Sequence, residues 1–219
     1  MRITLSDNER ILVVAPHPDD ESIGCGGLLN LYRGHCDVLL VTDGISDVSK
    51  EKELSAKRQK EFVEAMKVCG VDNRFLLHIP QLQILNHFNR FLSIDYSIYK
   101  YIFVPNRYEY HRDHVDTYKS VKKAIKQLRI KTDLVEYEVW TTIRFPNFYL
   151  DISPVLDKKI EAINQHRSQT ANLDYVKFIT GLNAYRGISK QMKYAESFYC
   201  ASEKRRENIR HLKRRIKKI

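Results

Sequence analysis

The sequence predicts an α/β protein: a mainly parallel sheet covered by helices on both faces, in three layers. Three observations predict it. Short apolar runs rich in β-branched residues recur along the chain, helical patterns of 12–20 residues separate them, and chemistry-bearing residues cluster directly after the runs. At 219 residues and 25.8 kDa the chain is long enough for one domain with a full core, and 43% hydrophobic residues exclude a disordered one.

Ile11–Ala15 is a continuous apolar run and reads as a buried strand, with helical sequence over Leu28 to Tyr32. Val38–Thr42 is a second strand, stopped by Asp43-Gly44. From Ser49 to Cys69 the positions Leu54, Arg58, Phe62, Ala65, Met66 and Cys69 recur every three or four residues, and Gly70 supplies the stop of a helix. Arg74–His78 is a third strand closed by Pro80, Asn86–Ile98 is helical, and Tyr101–Val104 is a fourth strand ending at Pro105. Asp116–Leu128 returns to helix, and Leu134–Thr141 and Phe148–Ile152 read as strands. Ser153-Pro154 pairs an N-cap with proline at the first helical position, opening a helix to about His166. The remainder reads as mostly helical. No internal repeat, low-complexity stretch or linker interrupts the pattern.

The net charge of +10 points first toward nucleic acid or anionic membranes, but its distribution changes that reading. Residues 203–219 hold nine Lys/Arg against two Glu, leaving the other 202 residues nearly balanced, with 28 basic against 25 acidic. Residues 1–202 therefore form one domain, and 203–219 a basic amphipathic C-terminal helix with Ile209, Leu212, Ile216 and Ile219 on one stripe. Such a helix docks on the body or on a partner subunit of a homo-oligomer, or is drawn to an anionic membrane surface or lipid-linked substrate. No aromatic–basic groove or DNA-binding motif accompanies it, which argues against nucleic acid. Cys25, Cys36, Cys69 and Cys200 are scattered, as expected of reduced thiols. A polar start and no apolar run of membrane-spanning length make the cytoplasm, or the inner membrane face, the expected location.

In a parallel sheet ligands bind beyond the carboxyl ends of the strands. Two clusters fall there. Pro16-His17-Pro18-Asp19-Asp20-Glu21 follows the first strand, and His111-Arg112-Asp113-His114 follows the fourth. Imidazole and carboxylate together suit zinc with an open position for water. Taken singly, the HxxH could be a pair of surface histidines, and the acidic triplet a helix N-terminus. Together, on loops that should converge, they make a metal site. Gly24, Gly26 and Gly27 look like a dinucleotide loop but begin nine residues past Ala15, so they read as close packing of a helix on the sheet. His35, His78, His87 and His211 have no partner spacing.

These two motifs, with His166-Arg167-Ser168-Gln169, Tyr185-Arg186-Gly187, Tyr194-Ala195-Glu196-Ser197-Phe198 and the Arg58-Gln59-Lys60-Glu61 helix, resemble the LmbE/PIG-L superfamily of zinc-dependent N-deacetylases over residues 10 to 200. The resemblance implies a Rossmann-like, LmbE-like fold, one zinc per chain on His17, Asp20 and His114, Asp19 as general base, and His111 as electrophilic or acid partner. It implies an N-acetylglucosamine-type sugar or glycoconjugate as substrate. The residues themselves suggest that Asp113 orients His111 or another imidazole and that Glu21 holds the loop or a helix N-terminus rather than taking part in catalysis. Arg58, Arg112, Tyr108, Tyr110 and His166 are the expected substrate contacts. Two departures stand out. Arg112 replaces the family's commoner proline, either facing solvent or binding an anionic group, and Pro80–Phe91 lacks an acidic residue often found after the third strand. A metal-dependent phosphoesterase and a non-catalytic electrostatic binding module are the rival readings. The first needs more ligands than can be counted here, and the second is disfavoured by the intact His/Asp set.

Overall fold

A computed structural model describes residues 3, 5–46, 51–171 and 173–202. Its sheet has seven strands: β1 (Arg10–Ala15), β2 (Cys36–Thr42), β3 (Arg74–Ile79), β4 (Tyr99–Pro105), β5 (Asp133–Tyr137), β6 (Phe148–Asp151) and β7 (Ala195–Cys200). Their order is β3-β2-β1-β4-β5-β7-β6. The first five are parallel, while β7 runs antiparallel to both β5 and β6. The order reverses between β1 and β4, so the loops leaving these two strands diverge and leave a crevice. Both expected clusters sit on those loops.

The pleat splits the core into two halves. Ile11, Val13 and Ala15 face one apolar cluster with residues of α1 (Asp20–Leu31) and α2 (Lys52–Cys69), and Leu12 and Val14 face the other with α3 (Arg112–Gln127). This is the three-layer arrangement expected. α1 lies very close to the sheet: a Cβ on Gly24 would come within 2.2 Å of the Tyr137 ring, and one on Gly27 within 2.3 Å of Ile152. The glycine run is therefore helical packing, and α1 starts at Asp20, eight residues before its expected beginning. The helix expected from Ser49 runs from Lys52, its first expected residues falling outside the described ones.

Three expectations are corrected. The 86–98 segment is two 3₁₀ stretches, Ile84–Ser93 and Tyr96–Ile98, because the backbone leaves helical geometry at His87 and Asp95 caps Ser97. β5 stops at Tyr137 rather than Thr141, since the amides of Val139, Trp140 and Thr141 donate to the Glu109 carboxylate instead of to a strand. The expected helical C-terminal part contains α4 (Leu156–Ile163), α5 (Arg167–Thr170) and α6 (Tyr175–Ile188), but Ala195–Cys200 forms β7. Alanine and glutamate favour helix locally, yet a slot between β5 and β6 satisfies this backbone and buries its side chains. The basic helix expected over 203–219 lies outside the described residues. Among the described residues no helix is long and apolar enough to cross a membrane.

Glu196 on β7 fastens α1 and α4 to the sheet. Its oxygens accept the N–H groups of Gly27 (2.7 Å) and Leu28 (2.9 Å) and the Lys159 ammonium (2.7 Å), with both side chains almost fully buried. Glu196→Ala strands a buried cation and should lower unfolding free energy by about 3–5 kcal/mol. Denaturant unfolding reads this. A loss below about 1 kcal/mol would show that water reaches Lys159.

Candidate metal centre

The turn after β1 carries His17, Asp19 and Asp20, and the loop after β4 delivers His111 and His114 at the start of α3. His111 is the N-cap of α3, its Nδ1 accepting the Asp113 N–H at 3.3 Å. α3 thus begins at Arg112, four residues earlier than its apolar pattern suggested, so the HxxH spacing places both histidines on one helical turn.

Asp20 is the centre of the cluster. Its Oδ2 lies 3.3 Å from His17 Nδ1 and 3.2 Å from His114 Nε2. These are close to the roughly 3.3 Å ligand–ligand edge of a tetrahedron with bonds of about 2.0 Å, the zinc geometry. The His17, His111 and His114 ligand atoms also lie within 4.8 Å of one another. His114 is completely buried, yet neither of its ring nitrogens has a hydrogen-bond partner among the described residues. Nε2 approaches Asp20 at hydrogen-bond distance without hydrogen-bond orientation. Two donors aimed at a shared point rather than at each other, in a fully buried position, fit a cation between them.

The far side of His17 is also built. Its Nε2 lies 3.0 Å from Asp113 Oδ2, while Asp113 Oδ1 accepts the Leu82 N–H at 2.9 Å. Asp113 therefore orients His17, not His111, because His111 turns its Nδ1 back onto the helix start. This is the carboxylate–imidazole support usual behind a metal ligand. Burial opposes charge on His17, but the bonds to Asp113 and Asp20 outweigh it and raise its pKa to about 9. Burial disfavours charge on Asp20 too, but His114 and His17 pull its pKa well below the carboxylate range. Asp113→Asn keeps the shape and removes the charge, and should weaken metal binding about 10–100-fold. Competition with a chromophoric chelator measures it, and unchanged affinity would separate Asp113 from the metal.

Asp19 is different. It pairs with none of these imidazoles, and its φ of 123° is one that side-chain-bearing residues rarely adopt. Burial first, then Asp20 and Glu21, raise its pKa well above the ordinary value. The strained turn is clamped from behind by the 166–169 segment. Gln169 donates to the Pro18 carbonyl, and Ser168 fixes this segment to Glu61 on α2 through its N–H (3.0 Å) and hydroxyl (2.5 Å). Glu21 accepts the Asp19 N–H (3.2 Å) and the Ser22 hydroxyl (2.8 Å), and meets His166 Nε2 at 3.0 Å. Glu21 thus ties the turn to the start of α1 and to His166. His166 is completely buried beneath the turn against Glu21 and Ser22, not at an open surface as a substrate contact would be.

A cleft of about 280 Å³ opens over the cluster, lined by His17, Asp19, Asp20, His111, Arg58 and Tyr110, with Gly44, Gln81, Trp140 and Gln169. Arg58 donates to the Gly44 carbonyl, and its Nε is buried without a partner among the described residues. Two other expected contacts are elsewhere. Arg112 points outward and pairs with Asp116 at 3.4 Å one turn along α3, and Tyr108 belongs to a neighbouring cleft. Trp140 is a cleft residue that the sequence pattern hides, because it reads as a continuation of the strand. As the chain's one tryptophan just beyond a carboxyl strand end, it was a readable signal. It stacks on Phe178 with ring centres 5.8 Å apart and meets Tyr175 edge-on at 5.5 Å.

Comparison with known proteins bears on the family and the fold. The family model described as PIG-L, GlcNAc-PI de-N-acetylase, matches residues 12–125, which span β1 to α3 and hence both motif loops. The chain belongs to the PIG-L family. It is 26% identical over 190 residues to the diacetylchitobiose deacetylase of Thermococcus kodakarensis, covering 75% of this chain and 71% of that protein. The N,N'-diacetylchitobiose deacetylase structure from Pyrococcus horikoshii superposes with a TM-score of 0.72 at 23% identity, over 89% of this chain and 84% of that one. A 4-carboxy-2-hydroxymuconate hydratase from Pseudomonas putida superposes with a TM-score of 0.74 at 16% identity, over 88% and 96%. At these identities the superpositions describe the fold, and the hydratase makes plain that the fold alone does not choose a reaction.

Proposed function

We propose that this PIG-L family member is a zinc-dependent N-deacetylase that hydrolyses the acetamide of an N-acetylglucosamine-type sugar or glycoconjugate. The observation that carries the reading is a convergent His17/Asp20/His114 donor set beside a separate, buried Asp19 carboxylate that has no ion-pair partner among the described residues. A structural ion pair needs no such extra carboxylate; an amide hydrolase does. The deacetylase activity of the relatives supports the choice of reaction class.

His17 Nδ1, Asp20 Oδ2 and His114 Nε2 would hold the ion. Zinc bound there would supply Lewis acidity to the amide carbonyl and to the attacking water. Asp19 takes the proton from that water as its oxygen bonds to the carbonyl carbon. Its raised pKa suits a base that must receive a proton and later give it up. His111 stands opposite. Its Nδ1 is occupied as an acceptor, so the neutral ring carries its proton on Nε2. Burial, then the neighbouring His17 and His114, favour that neutral form. His111 therefore serves as a neutral Nε2–H donor to the developing oxyanion, the electrophilic rather than the acid role. The Asp19 proton passes to the nitrogen as the C–N bond breaks, leaving acetate and a free amine. Arg58 and Tyr110 position the sugar, with Trp140 as a platform for a ring face.

Acetate release from a panel of N-acetylated sugars and conjugates tests the reading, alongside metal analysis. One zinc per chain is expected, with activity removed by chelation and restored by zinc. Hydrolysis of phosphate esters without acetate release from any member would favour the phosphoesterase instead. His111→Ala should keep the metal and lose turnover; loss of the metal would make His111 a ligand.

A further inference from the structure

A second cleft, of about 500 Å³, lies directly beside the first and takes no part in the chemistry above. The same two loops line both. On the β4 loop Tyr110 faces the metal centre while Tyr108 faces the second cleft; on the β5–β6 loop Trp140 lines the first, and Thr142, Ile143, Arg144 and Phe145 the second. The loops are tied into one ridge. The Asn106 amide donates to the Thr141 carbonyl (3.3 Å), the Tyr110 N–H to the Thr141 hydroxyl (3.3 Å), and Glu109 accepts three successive amides of the other loop. Behind it, Glu138 accepts from Ile143 N–H (2.6 Å), Arg186 and the Ser197 hydroxyl (2.6 Å). The Glu109 N–H closes a turn on the Asn106 carbonyl (3.1 Å), with Tyr108 on one side of the ridge and Tyr110 on the other, so a ligand lying across the ridge meets both clefts.

The lining has a specific chemistry. Tyr108 and Phe145 are 77% and 70% exposed, unusual for two large rings on adjoining loops. Two guanidinium groups are present, and they differ. Arg107 is neutralised by Glu136, which receives its Nε at 2.9 Å, and it lies under the Tyr108 and Tyr199 rings. Arg144 has no carboxylate partner among the described residues and sits 5.0 Å over Phe145. The cleft is thus an aromatic platform with one uncompensated positive charge.

We infer that this cleft is the recognition subsite for the part of the substrate attached to the N-acetylated sugar, and that it takes an anionic group, phosphate or carboxylate, on Arg144, next to a ring or apolar face laid on Tyr108 and Phe145. The inference rests on the deacetylase reading for its biological meaning, but the cleft's ligand chemistry stands independently. Arg144 provides a fork matched to either oxyanion, and the rings explain why aromatic surface is left open.

Binding is tested first, without turnover, by saturation-transfer NMR on the full chain with phenyl phosphate, benzoate and neutral phenyl β-glucoside as probes. Phenyl phosphate or benzoate should bind. Arg144→Ala and Phe145→Ala should each weaken binding about tenfold or more, whereas His17→Ala should leave it unchanged. The phosphate and benzoate arms identify which anion is preferred. Equal binding of the neutral glucoside, or indifference to Arg144→Ala, overturns the inference. The second arm is kinetic. Arg144→Ala should raise KM about tenfold for an N-acetylglucosaminide with a phosphorylated aglycone, with kcat retained and methyl N-acetylglucosaminide unaffected. A KM equally raised for both substrates overturns it. If no N-acetylated substrate releases acetate but the probes bind as expected, the deacetylase reading fails and the anion cleft remains.

Discussion

Asp19→Asn should keep one metal per chain while kcat for acetate release falls by about 10²–10⁴-fold. The substitution preserves shape and tolerance of unusual backbone angles, so the strained turn at φ 123° is retained. What disappears is a carboxylate able to accept a proton. Because Asp19 makes no bond to His17, His111 or His114, metal content should not follow activity. Coupled acetate assays and metal analysis on one preparation decide the matter. Turnover within a few-fold of wild type removes Asp19 as the base, and loss of metal makes it a ligand.

Asp20→Ala is expected to abolish both metal binding and activity, a larger effect than the approximately 10–100-fold loss predicted for the outer partner Asp113. Asp20 is the donor shared by the cluster, 3.3 Å from His17 and 3.2 Å from His114, and it also accepts the His17 N–H at 2.9 Å. That last bond makes a structural collapse of the turn a competing explanation, so Asp20→Asn is the matched control. It keeps an acceptor oxygen for the turn and should still bind metal far more weakly. Thermal unfolding in chelator should be nearly the same for wild type and Asp20→Asn. Retention of metal and activity in both variants would end the ligand assignment.

Several parts of this protein are legible in its sequence. Val38–Thr42 and Ile11–Ala15 announced themselves as buried strands because a fully covered strand needs an unbroken apolar run, and both are buried. The PHPDDE and HRDH motifs were legible because their neighbours in space are also neighbours in sequence. Trp140 was not, since its loop role depends on Glu109 intercepting the amides that would otherwise extend β5. Ala195–Cys200 was misread for a related reason: strand formation there is a property of the slot between β5 and β6, not of its own residues.

The sequence by itself determined the βα alternation and the two motif loops at the strand ends. Composition and periodicity carry that information locally. Packing between the loops settles which carboxylate serves which imidazole: Asp113, two residues from His111, turns to His17 on another strand's loop. It also buried His166 under the turn that carries Asp19, sent Arg112 outward and moved Tyr108 into a second cleft. The Asp113–His17 and Glu21–His166 contacts join side chains 96 and 145 residues apart, and no local pattern records such meetings.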